Sequence, residues 1–108
     1  MTLNEYQRMA LETAVYPKGY KVVYPALGMN GEAGEVADKV KKVIRDGGSF
    51  YDEEEREALA MEAGDVLWYC ATMANDLGYT LEEIARKNYD KLHSRQLRGK
   101  IGGSGDNR

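Results

Sequence analysis

The chain has 108 residues, 43% of them hydrophobic, with 15 lysines and arginines against 18 aspartates and glutamates, one histidine and one cysteine. Its length predicts one domain, its apolar fraction excludes an intrinsically disordered chain, and a formal charge of −3 argues against a nucleic-acid binder. The lone Cys70 cannot close an internal disulfide, the opening MTLNEYQRMALETAV lacks the pattern of a signal peptide, and no stretch nears the roughly 18 apolar residues of a membrane span, so a soluble cytoplasmic protein is expected.

Thr2-Leu3-Asn4-Glu5 reads as a capping box opening a first helix, whose face Leu3, Tyr6, Ala10 and Thr13 runs to an end near Tyr16-Pro17. Pro17 to Pro25, with Gly19, reads as a connecting loop. Met29, Ala33, Val36, Val40 and Val43 follow helical spacing and predict a second helix over Ala26 to Asp46, stopped by Gly47-Gly48. Asp52 followed by three glutamates predicts an N-cap and an acidic first turn. The third helix then runs through Leu59, Val66, Leu67, Cys70, Met73 and Leu77 to Gly78. Thr80-Leu81-Glu82-Glu83 is a second capping box, and Leu81, Ile84, Ala85 and Leu92 form the stripe of a fourth helix. No run alternates as a strand would. The expected architecture is an all-α four-helix bundle over 1–98, followed by a Gly-rich tail over 99–108. A bundle of this size buries only about two-thirds of its unfolded surface, so a homodimer or homotetramer is expected.

Two acidic pairs stand out: Glu32 and Glu35 in GEAGE, and Glu62 and Asp65 in EAGD. Each pair is three residues apart and shares one helix face. If those faces meet, four carboxylates converge, and their repulsion calls for a cation. An all-oxygen ligand set selects a hard ion, Mg2+ or Mn2+, which recruits phosphates to complete its shell. The plainer reading of such a pair is a solvated helix face, as at Glu54 and Glu57. Gly31, Gly34 and Gly64 lie beside these acids, although an interior glycine costs a helix about 0.5–1 kcal/mol. They either let helices approach closely, leave room for metal and substrate, or mark a kink.

Glu-x-x-Glu, a spacer of 26 residues from Val36 to Met61, then Glu-x-x-Asp resembles the signature of the MazG-like all-α nucleoside triphosphate pyrophosphohydrolases. GMNGEAGEVADKVKK, EAGDVLWYCA, IARKNYDKLHSR and the terminal GSGDNR extend the resemblance, which includes single-domain phage members. It implies that Glu32, Glu35, Glu62 and Asp65 hold Mg2+, and that a metal-activated water attacks the α-phosphorus to release nucleoside monophosphate and pyrophosphate. Glu32 or Glu35 would accept the water's proton. Some relatives carry an acid where this chain has Gly31, which leaves that choice open. The phage relatives point to deoxynucleotides. Asn88 and Lys91 match family positions that contact the nucleotide or its phosphates, and Arg95 extends their stripe or simply complements the helix end.

Lys39 and Lys42 lie on the carboxylate face within reach of a phosphate, although Lys39 is equally suited to pair with Glu35. Trp68 either stacks on a base or packs in the core, and Tyr24 is a candidate base contact. His93 reads as a surface residue and Cys70 as inert core. The tail either frays or closes over a site. A non-catalytic helical module binding nucleotide or Mg2+ is the alternative; a di-iron bundle is disfavoured because no Glu-x-x-His pair is present.

Overall fold

A computed structural model describes all 108 residues as four helices and no strand. They are α1 (Leu3–Leu11), α2 (Val23–Arg45), α3 (Glu53–Asp76) and α4 (Leu81–Leu97), with a short 3-10 turn at Lys18–Tyr20. Both capping boxes form: the Thr2 and Thr80 hydroxyls each accept the N–H three residues on at 3.1 Å. Gly47 and Gly78 follow α2 and α3 at φ +71° and +82°, the left-handed geometry that ends a helix at least cost in glycine.

Two boundaries differ from those expected. α1 stops at Leu11, short of Tyr16, where the chain tightens into i→i−3 bonds from Glu12, Thr13 and Ala14; the Thr13 hydroxyl there donates to the Ala10 carbonyl at 2.9 Å and accepts the Trp68 indole N–H at 2.9 Å. α2 starts at Val23, so Pro25 lies inside its first turn, where a missing N–H deprives the helix of nothing. In front of it Val22 stands at φ 67°, in a γ-turn closed by the Val23 N–H on the Lys21 carbonyl at 2.7 Å. A β-branched residue at that φ is strained by about 1–3 kcal/mol. Asp76 holds it there, accepting the Val22 N–H at 2.9 Å and the Tyr16 hydroxyl at 2.8 Å. Asp52 does occupy the N-cap of α3, but its side chain makes no bond to the helix and accepts the Ser49 N–H at 3.4 Å instead.

α2 and α3 form the long hairpin of the molecule, while α1 and α4 pack against α3 and each other. Ala10, Ala71 and Leu81 form the buried centre of that junction, with Tyr6, Trp68 and Cys70 packed around it. One buried amide ties the junction together. Gln7 Nε2 donates to the carbonyls of Ala71 and Tyr79 at 3.2 and 3.1 Å, and its Oε1 accepts the Leu81 N–H at 3.0 Å. Close approach of α2 and α3 depends on Gly28, where a Cβ would overlap the Tyr69 ring, and not on Gly31, Gly34 or Gly64, which face open space.

The four helices do not close into one bundle within a single chain, because α4 has no packed face on α2. The radius of gyration is 16.5 Å, against about 13 Å for a compact domain of this length. Only nine residues are buried, and apolar side chains such as Leu27, Ile44 and Met61 are 64–70% exposed. No helix is long and apolar enough to cross a membrane.

Candidate active site

Pairing of α2 with α3 brings three acids together. One carboxylate oxygen from each of Glu32, Glu62 and Asp65 lies within 4.8 Å of the others. Glu35, a turn further along α2, is exposed and outside this trio, yet near enough for its charge to act on Glu32. Partial burial pushes the Glu32 carboxyl above its ordinary range, and the charges of Asp65 and Glu62, a hydrogen bond with Glu62 and the charge of Glu35 push the same way. Crowded carboxylates with this electrostatic cost, all hard oxygen donors, fit a divalent cation such as Mg2+. The open space at Gly31 and Gly64 leaves one side of the cluster clear.

Lys39 supplies the positive charge at the cluster's edge. Its Nζ lies 3.5 Å from Glu62 Oε1, so its partner is across the hairpin and not Glu35. Lys42 is engaged elsewhere, 2.7 Å from Asp38 Oδ2, in a pair that, together with Lys41, holds the Asp38 carboxyl down to about 2.

An aromatic band adjoins the acids. Tyr16 stacks on Tyr24 with centroids 4.8 Å apart, Tyr24 lies 6.4 Å from Tyr69, and Tyr69 meets Trp68 edge-on at 5.0 Å. Burial first, then the neighbouring Tyr24 and Glu32, raise the Tyr69 phenol, while burial followed by the Asp65 charge raises Tyr6. Tyr24 remains 43% exposed. Trp68 is committed to packing: its indole N–H is shared between the Thr13 hydroxyl and the Ala10 carbonyl. Tyr69, Tyr16 and Asp76 escaped sequence reasoning. The one available signal was the i,i+4 spacing of Tyr69 from Asp65.

The α4 stripe stands apart from the carboxylates within one chain. Asn88 is exposed and lines a groove with Tyr89, Leu92, His93, Gln96 and Ile101. Lys91 is half-exposed, with its Nζ 3.4 Å from Asp106 Oδ1, and Arg95 is buried beneath the folded-back tail. His93 is a surface residue stacked on Tyr89 at 5.4 Å. Cys70 is half-buried against the core, which pushes its thiol up and away from reactivity.

The MazG nucleotide pyrophosphohydrolase domain profile matches residues 26–98, a span that holds both acidic pairs and the α4 stripe. The Gene 37 protein of Mycobacterium phage L5 is 44% identical over 114 residues, covering 100% of both chains. No solved structure matches. The chain belongs to the MazG nucleotide pyrophosphohydrolase domain family, and that membership points to pyrophosphohydrolase activity on nucleotides.

Proposed function

We propose that this protein hydrolyses nucleoside triphosphates, deoxynucleotides among them, to nucleoside monophosphate and pyrophosphate in a Mg2+-dependent reaction. The observation that carries the reading is the Glu32, Glu62 and Asp65 trio lying within the span matched to the family. These three residues would hold Mg2+, with Mn2+ as a substitute, and Glu35 would complete the set from the next turn. When bound, the cation neutralises phosphate oxygens and lowers the pKa of water.

The chain's own side chains supply the rest. Glu35 is exposed beside the trio, where it can accept the proton of a water attacking the α-phosphorus, whereas Glu32 lies within the trio that would hold the cation. Lys39 can turn from Glu62 to a phosphate oxygen at little cost, since a part-exposed ion pair is worth about 0–1 kcal/mol. Tyr24 offers a face for the base. Lys42 lies further along the same helix as a second phosphate contact.

Asn88, Lys91 and Arg95 complete the nucleotide site in a homodimer or homotetramer, where α4 of one copy approaches the carboxylates of another. The support for assembly is the open shape of the single chain and the exposure of Leu27, Ile44 and Met61 along the hairpin.

The test is a panel of the eight common nucleoside triphosphates and dUTP, each incubated with protein and Mg2+ while pyrophosphate is measured. Release with at least one nucleotide, abolished by chelation, is expected. Binding without release from any of them would instead make the protein a nucleotide-binding module.

A further inference from the structure

Charge is unevenly divided along this chain. Residues 91–108 carry five cations, Lys91, Arg95, Arg98, Lys100 and Arg108, against the single acid Asp106, whereas residues 1–90 carry ten cations and 17 acids. The body is acidic and its C-terminal end is strongly basic.

That end is folded around guanidinium groups. The Arg108 side chain turns back so that Nε donates to the carbonyls of Gly102 and Lys100 at 3.0 and 3.2 Å, Nη1 to Gly105 at 2.7 Å and Nη2 to Ile101 at 3.0 Å. Arg95 Nη2 donates to the Asp106 carbonyl at 2.8 Å, and Arg98 Nη2 to the terminal oxygen of Arg108 at 2.8 Å. Five peptide carbonyls and the terminal oxygen of Arg108 are therefore consumed by arginines.

The main-chain donors of the loop are left free. No main-chain N–H of residues 101–108 donates to a protein acceptor; the last that does is Lys100, to the Arg95 carbonyl. Gly103 and Gly105 stand at φ +95° and +86° with Ser104 between them at negative φ, the alternation that lets successive N–H groups converge into an anion-binding concavity. A second feature points the same way. Arg95 is 4% exposed and its Nε is buried with no acceptor, so a cation with unspent donor capacity lies beneath the loop. The one acidic side chain present, Asp106, is shared between Lys91 and Arg95 at 3.4 Å each, leaving Lys100 and Arg108 without an acidic side-chain partner.

We infer that residues 101–107, with Lys91 beside them, form a cradle for a phosphoryl group, the free N–H groups binding its oxygens and the surrounding cations its charge. That the phosphoryl group belongs to the polyphosphate chain of a substrate rests on the hydrolase reading; the cradle itself does not.

The experiment separates the two. Backbone amide shifts of the full chain are followed while inorganic tripolyphosphate is added without metal, with sulfate at matched ionic strength as control, and the titration is repeated with a nucleoside triphosphate. Saturable shifts centred on Gly102, Gly103 and Gly105 are expected with tripolyphosphate and with the nucleotide, but not with sulfate. The double substitution of Gly103→Ala and Gly105→Ala, which strains both positive-φ positions, is expected to weaken that binding roughly tenfold while leaving amide shifts of α1 to α3 unchanged. Absence of loop shifts, equal shifts with sulfate, or undiminished binding by the double variant would overturn the cradle even if pyrophosphate release is normal. Loop shifts in a protein that releases no pyrophosphate would sustain the cradle and reject the hydrolase.

Discussion

Lys39 Nζ lies 3.5 Å from Glu62 Oε1, an ion pair that joins the two helices of the hairpin beside the carboxylate trio. The lysine thus serves as the counter-charge to acids that repel one another, and under the proposed function it is a phosphate contact. Lys39→Gln is expected to cost the fold less than about 1 kcal/mol, because the pair is partly solvated. Its KM for triphosphate is expected to rise roughly tenfold with kcat changed less. Thermal melts and steady-state kinetics check this; unchanged KM would remove Lys39 from the substrate site.

Under the proposed function Glu35 would be both a fourth ligand and the general base, and it stands outside the trio. Glu35→Gln should lower kcat by about a hundredfold or more, the usual scale for a lost general base, while the trio still binds a divalent ion. Glu62→Gln should weaken that ion binding directly. Calorimetric titration with Mn2+ distinguishes the two, with helical circular dichroism expected to stay intact in both. Near-normal turnover of Glu35→Gln would show that the proton goes elsewhere.

Gly28 and Gly34 should respond oppositely to alanine. At Gly28 the new methyl overlaps the Tyr69 ring, and overpacking of that kind costs about 1–3 kcal/mol. At Gly34 the methyl meets nothing, and helix propensity favours it by about 0.5–1 kcal/mol. Urea unfolding of the two variants is the measurement. A stable Gly28→Ala protein would mean that Tyr69 swings aside freely.

Tyr16 carries a pH signature. Burial, followed by its hydrogen bond to Asp76, lifts the phenol from 10.0 to about 12. A folded-state pKa raised above the unfolded value contributes stability that is complete below pH 10 and is lost as pH rises through about 12. Subtracting the alkaline phenolate titration of Tyr16→Phe from that of the parent should isolate one tyrosine titrating late. The variant should also lose less stability over that interval. A Tyr16 titrating with the exposed tyrosines would contradict the Asp76 contact.

What could be read in the sequence is what local chemistry decides. Thr2 with Glu5, Thr80 with Glu83, and the glycines after α2 and α3 set helix ends through bonds spanning a few residues, and each acts as its sequence indicates. The acidic pairs were legible for the same reason, since three-residue spacing fixes a shared face. The start of α2 was not, because the γ-turn at Val22 is held by Asp76, 54 residues away. Nor was the partner of Lys39, where the cross-hairpin contact to Glu62 prevails over i,i+4 pairing with Glu35. Arg95 read as an ordinary basic helix end, and its burial depends on a Gly-rich tail whose fold is set by arginine side chains reaching distant carbonyls.

Water attack at the α-phosphorus of a nucleoside triphosphate leaves the water's oxygen in the nucleoside monophosphate. Hydrolysis in heavy-oxygen water with Mg2+, followed by mass spectrometry of both products, locates that oxygen. The label is expected in the nucleoside monophosphate, with unlabelled pyrophosphate. Label in pyrophosphate, release of orthophosphate alone, or no hydrolysis of any triphosphate would contradict it.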